Sequence, residues 1–305
     1  METLEYESEG IDLADAFNDL MRGAAVLADG RLNDAERRVQ ERVTNTLLGN
    51  IPLENLPRLP ATTMGLLARV NDPEVSADEV LGLINRDAAL SAELLRLANS
   101  AYFRRGREVC NPKQALVTVG FNGLKAMVVN LLLKPVIQIK PIYFKMFGQQ
   151  LWDHSQDCAV ACMRLSTGQK ADSFNAYQLG LIHDVGKIVI FQRLVEAFSA
   201  VDPGVEPRPH VFVKLITRHA MPLSHLVAQS WEFPRIYLDA LRAQAQGEMP
   251  DEMAELSRTL YFANLLTESY SLMRRRRFPP DRIERFLKGF GMNLELITQV
   301  FAGDN

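Results

Sequence analysis

His154, His183 and Asp184 are the residues whose types and spacing most readily do chemistry. His154 follows Leu151 by three residues and precedes Cys158 by four, and Leu165 completes the spacing. Its imidazole therefore belongs on the buried stripe of a helix. In a second helix over Leu179–Phe191, Leu179, Ile182, His183, Gly186 and Ile190 share a face, which turns His183 inward with Asp184 beside it. Gly186 leaves room there for a close neighbour or a ligand. Two inward imidazoles and a carboxylate suit zinc, iron or manganese. They equally suit a core in which the histidines are hydrogen-bonded to one another or to their neighbours, the commoner fate of inward polar groups. Spacing alone leaves both readings open.

The remaining reactive side chains carry less. The segment of His225 is shaped by packing around Pro222 and Trp231; His219 is expected at the surface or a helix end, and His210 in a loop. Cys158 and Cys162 share one helix face too far apart for an easy disulfide and read as small buried hydrophobes. Arg274–Arg277 is the conspicuous charge run, best explained by the negative end of a helix and by the acidic N-terminal region. Arg104, Arg105 and Arg107 form a shorter basic patch that reads as a solvated loop.

Helical periodicity dominates the elements that must position these groups, and the fold class is all-α. Phe17, Leu20, Met21, Ala24 and Leu27 mark one amphipathic face; Val39, Val43 and Leu47 mark a second helix entered through Asn33-Asp34. Three prolines between Ile51 and Pro60 keep the chain extended and set a boundary. Ser76 and Glu79 form a capping box ahead of Val80, Leu83 and Ile84. Asp87 opens a helix faced by Leu90, Leu94, Leu97 and Ala98 that stops near Asn99. Asn111-Pro112 opens the next, with Gln114 completing the box; Gly120–Gly123 breaks it and Leu124–Leu133 resumes it. Helices follow over Leu151–Leu165, Leu179–Phe191, Val213–Ala220, Leu223–Trp231, Arg235–Gln246, Glu255–Met273, Asp281–Phe290 and Leu294–Phe301, with a loop from Val201 to His210.

The 305 residues are 47% hydrophobic and 23% charged, enough to bury a core without a disulfide or metal staple. Net charge is −3, with −6 in residues 1–50 and +3 in the remainder, so the chain lacks the basic footprint of a dedicated nucleic-acid binder. Three cysteines argue against an extracellular disulfide framework. The start has no basic or apolar leader pattern, and the most apolar stretch, Ala126–Leu133, is uncharged for only eight residues, against the roughly 20 of a membrane span. A cytoplasmic protein with no membrane association is expected.

Gly180-Leu-Ile-His-Asp-Val-Gly-Lys187 resembles the signature of the HD superfamily, and Trp152-Asp-His-Ser155 resembles the helix carrying its first histidine. More narrowly, several motifs together resemble the HDOD family. They are Leu56-Pro-x-Leu-Pro60, Asn85-Arg-Asp87, the run from Leu90 to Tyr102, Ala115 through Gly120, and His225 followed by Trp231-Glu-Phe-Pro234. The resemblance covers about residues 55–265 and implies an HDOD-type helical domain in a bacterial signalling protein, an N-terminal helical lobe packed on an HD-like lobe. The expected organisation is an acidic helical extension over 1–50, an HDOD domain over 51–265 divided at 148/149, and C-terminal helices over 266–305.

HD enzymes are metal-dependent phosphohydrolases, so the resemblance makes His154, His183 and Asp184 the first three ligands of a residual site for one divalent metal ion. The fourth position falls at Asn264, where the family pattern would read aspartate; a neutral amide oxygen there removes a full charge from the ligand shell. The His-His pair that relatives often carry is Gln244-Ala245, and no Gly-Tyr-Pro motif follows. A binuclear site and cyclic di-GMP hydrolysis are therefore not expected. The favoured reading is a non-catalytic signal-transduction module with a degenerate HD site and no required cofactor, acting through protein partners of bacterial signalling pathways such as cyclic-dinucleotide signalling proteins or sensor kinases. The alternative is a residual metal-dependent phosphohydrolase.

Overall fold

The computed structural model describes residue 17 and residues 32–48, 56–100, 103, 106, 108–137, 145–166, 172–201 and 210–301. Among the described residues all regular structure is helical, as the periodicity requires. Of the first expected amphipathic helix only Phe17 is described, helical and buried; the rest of that helix, the first half of the proline-rich boundary over 51–55, the Arg104, Arg105 and Arg107 patch and the loop over 202–209 lie outside the described residues.

Helix α1 (Asp34–Leu48) is entered through a reciprocal box in which the Glu36 N–H donates to Asn33 Oδ1 and the Asn33 N–H to a Glu36 carboxylate oxygen, both at 2.8 Å. It packs against α8 (Gly186–Val201) and α9 (His210–Ser230) through Val39 and Val43.

Helices α2 (Ala61–Asn71), α3 (Ala77–Asn85) and α4 (Ala88–Ala98) surround α5 (Pro112–Ile137) to form the N-terminal lobe. Their starts follow the sequence signals: Ser76 and Glu79 close the capping box at 3.2 and 2.9 Å, and Asp87 accepts from the N–H groups of Ala89 and Leu90. Two details differ. Leu81, rather than Leu83, is the buried partner of Val80 and Ile84. Gln114 accepts from the N–H of Cys110 at 2.7 Å instead of that of Asn111.

Helix α5 is broken at Gly120, whose φ of 74° and ψ of 178° leave the helical region. Pro112–Val136 nevertheless has the length and mean hydropathy, 1.7 in its most apolar window, of a membrane span, which a count of uncharged residues alone understated. Leu124, Met127, Val128, Val129 and Leu133 bury it in the core shared with the second lobe.

That second lobe comprises α6 (Lys145–Leu165), α7 (Ser173–Ile182), α8, α9, α10 (Arg235–Gln246) and α11 (Glu255–Arg274). The expected single helix over Leu179–Phe191 is two helices, α7 and α8, joined by a turn at His183-Asp184-Val185. Conversely, the helices expected on either side of Pro222 are one, α9, and it begins at His210, where a loop was expected. Trp231 ties the lobes together, its indole N–H donating to the Pro57 carbonyl at 2.7 Å. Helices α12 (Pro280–Lys288) and α13 (Leu294–Val300) complete the chain, the last held to α6 by a hydrogen bond from Arg164 to the Val300 carbonyl.

Candidate functional site

The site is made by two close approaches that glycine permits. A Cβ on Gly180 would stand 2.7 Å from the Ala159 Cα, so α7 lies directly on α6 and carries His183 toward His154. One on Gly186 would stand 2.0 Å from the Ala220 carbonyl oxygen, so the start of α8 lies on α9; there the Gly186 N–H donates to Ser224 Oγ at 2.9 Å. The room expected at Gly186 is thus filled by backbone, and no space for a ligand remains there.

Between these contacts His154, His183 and Asp184 converge, all buried, with one candidate ligand atom from each within 4.8 Å of the others. His154 Nε2 lies 3.3 Å and His183 Nε2 3.5 Å from Asp184 Oδ2. The imidazole rings are 5.3 Å apart. His183 donates from Nδ1 to the Gly180 carbonyl at 2.7 Å, which fixes the ring and turns Nε2 into the cluster. His154 Nδ1 has no hydrogen-bond partner, and the Nε2 atoms of both rings face only the Asp184 carboxylate.

Two groups beyond the expected set complete the cluster. Lys187, one turn after Asp184, places Nζ 2.6 Å from Asp184 Oδ2 and is itself buried. Phe17 packs on His154 at 4.4 Å between ring centres, with the Lys187 ammonium 5.6 Å above its ring. Lys187 was visible in the motif but had no assigned role, and no local signal marks Phe17 out from the rest of its apolar stripe.

The electrostatics divide the two histidines. Burial dominates at His154 and lowers its pKa to about 4, so that ring is neutral. Burial also opposes a charge on His183, but the Asp184 carboxylate and then the Cys158 thiol outweigh it and raise the pKa to about 9. Asp184 is penalised by burial yet held well below the usual carboxylate range by His183 and Lys187.

Whether this set fits a metal ion turns on charge. The geometry of the three donors is suitable. However, the cluster's one carboxylate already faces an ammonium at 2.6 Å. Asn264 adds no charge: its amide N–H donates to Glu268 Oε1 at 3.2 Å and its Oδ1 is buried without a partner. The α11 residues that line the cavity beside His154 are Tyr270, Ser271, Arg274 and Arg275. The three donors match a metal ion in type and spacing, and Lys187 competes with it for the single carboxylate.

The other histidines stand apart from the cluster. His225 is half-buried on α9 with Nε2 unpartnered. His219, expected at the surface or a helix end, is buried within α9, which runs unbroken through this segment. Cys158 and Cys162 are buried free thiols and Cys110 is exposed. Gln244, where relatives carry a histidine, instead donates to the Ser257 carbonyl at 2.7 Å, a helix-packing bond between α10 and α11.

The HDOD domain family model matches residues 56–246, nearly two-thirds of the chain. The chain belongs to the HDOD family. A protein of unassigned function from Treponema pallidum (strain Nichols) is 25% identical over 221 residues, 70% of this chain and 42% of that protein, so this HDOD chain spans less than half of its relative's length. A crystal structure from Shewanella amazonensis, whose name proposes a metal-dependent phosphohydrolase, superposes with a TM-score of 0.65 at 20% identity over 89% of this chain and 96% of that one. Another from Marinobacter aquaeolei, whose name proposes a signal-transduction protein, gives 0.54 at 20% identity over 90% and 64%. At these identities the solved structures show the shared helical HDOD fold.

Proposed function

We propose that this HDOD protein is a non-catalytic regulatory module of bacterial signal transduction, working in the cytoplasm through protein–protein contacts. Cyclic-dinucleotide signalling proteins and sensor kinases are the partner classes that the family resemblance offers. The observation that carries the reading is the 2.6 Å pairing of Lys187 with Asp184 inside the core. In a divalent-metal hydrolase a carboxylate compensates the ion and helps it activate water; here that carboxylate is paired with a lysine. The neutral Asn264 supports the same conclusion.

The alternative, a residual phosphohydrolase, draws on the three converging donors of His154, His183 and Asp184. Complementation of a deletion strain separates the two. A folded His183→Gln chain, which keeps a polar side chain and removes the ligand, is expected to restore the regulatory output. Loss of output with unchanged folding and abundance would favour the metal enzyme.

A further inference from the structure

Phe17 lies well ahead of residue 56, where the match to the family model begins, yet its ring is buried against His154 at 4.4 Å between ring centres. The Lys187 ammonium stands 5.6 Å above the same ring. One phenyl group from outside the matched domain thus touches both a candidate ligand and the lysine that holds Asp184. Helix α1, which follows Phe17 in the chain, is seated on α8 and α9 through Val39 and Val43, and α8 carries Lys187.

Three observations give this contact a role beyond packing. The first is closure. His154, His183, Asp184 and Lys187 are all buried; of the four only His154 borders the cavity between α6 and α11, and it is 2% exposed there. The second is a mismatch between the ring and what it covers. His154 Nδ1 is unpartnered, and a phenyl group has neither a donor nor a lone pair to meet it, as water does. The cost of that orphan offsets part of what burying the ring gains, so Phe17 is held less firmly than an ordinary core phenylalanine. The third is the contact with Lys187, a cation–π attraction that stabilises the ammonium without a hydrogen bond.

We propose that Phe17 is a plug: the segment ahead of the HDOD domain closes the histidine cluster to solvent and to polar ligands, and the cluster opens when that ring is withdrawn. Seated, the ring conceals two imidazoles, a carboxylate and an ammonium; withdrawn, it presents them to water and to a binding partner. This autoinhibitory contact goes beyond the regulatory reading and holds whether or not the cluster takes a metal ion.

Carbethoxylation by diethyl pyrocarbonate, followed histidine by histidine by mass spectrometry on the full chain without denaturant, tests it. The reagent attacks neutral imidazoles, and His154 is a neutral ring. In the wild-type chain His154 is expected to react far more slowly than the half-buried His225. Phe17→Ala should raise the His154 rate about tenfold or more and leave His225 unchanged; Phe17→Leu, which keeps a smaller apolar cover, should raise it less. Ile283→Ala truncates a buried side chain of α12 away from the cluster and should leave His154 protected. Ready modification of His154 in the wild-type chain, which would mean entry through the α6–α11 cavity, overturns the inference. So does a His154 rate unmoved by Phe17→Ala, or by Phe17→Leu where the alanine variant does not fold. An equal rise in Ile283→Ala overturns it as well, because His154 would then report general loosening. Complementation by His183→Gln does not depend on these rates, so the regulatory reading stands or falls separately.

Discussion

The two lobes use buried polar groups in opposite ways. In the N-terminal lobe they are answered: the buried Asn130 donates to the Tyr177 hydroxyl at 2.9 Å, and the half-buried Asn99 brackets Val109 with bonds of 2.8 and 2.9 Å. In the second lobe they are left open. Among the described residues, every buried side-chain nitrogen or oxygen without a hydrogen-bond partner lies between Gln150 and Ser269, and none lies in residues 56–137. An unanswered buried polar atom costs stability, so its persistence marks a place shaped by something other than folding. One lobe answers its buried polar groups, and the other leaves several open.

The largest test of this contrast is Lys187→Met. It removes the ammonium from Asp184 and leaves that buried carboxylate facing only the imidazoles of His154 and His183, and a loss of about 3 kcal/mol is expected in urea unfolding. A loss below about 1 kcal/mol would mean that the ion pair does not hold the cluster together. Acid should act next most strongly, through His154. Its folded pKa of about 4 lies below the ordinary 6.5, so between those values the unfolded chain binds more protons and stability falls as pH falls. Over the whole window this amounts to about 3 kcal/mol. Unfolding midpoints from pH 7 to pH 4 should show the decline, and His154→Gln should flatten it.

Trp231→Phe cuts one of the hydrogen bonds between the lobes, beside that of Asn130 with Tyr177, while keeping an aromatic ring, and should cost about 1–2 kcal/mol. A separate early unfolding step of one lobe in that variant would show that the two are held together mainly there. Ser76→Ala, in the N-terminal lobe, should cost only about 1 kcal/mol and leave every property of the histidine cluster unchanged. A change in the imidazole resonances of His154 or His183 in Ser76→Ala would contradict the contrast between the lobes.

The same contrast decides what the sequence made legible. The N-terminal lobe's starts and stops are written in neighbouring residues: Ser76 with Glu79, Asp87 with the two N–H groups it caps, and Gly120 at the break in α5. The inward direction of His154 and His183 was legible for the same reason, since apolar spacing sets the buried face. The turn at His183-Asp184-Val185 was not, because the apolar spacing runs through it as if the helix continued; what interrupts the helix is the packing of Gly186 against α9. Arg274 and Arg275 look like charges at a helix end, and they are. Only the crossing of α11 over α6 places them beside His154. Lys187 was plain in the motif, but its capture of Asp184 depends on where both side chains are buried.

The central claim is that the cluster stores charge in an internal ion pair instead of activating water on a metal. The most direct measurement is hydrolysis of a chromogenic phosphodiester by the full chain with manganese, iron or zinc supplied, beside His183→Ala and with bound metal quantified in both. The account predicts rates indistinguishable between the two proteins and no stoichiometric metal in either. Sustained turnover by the wild-type chain, carried by near-stoichiometric metal that His183→Ala loses, would contradict it.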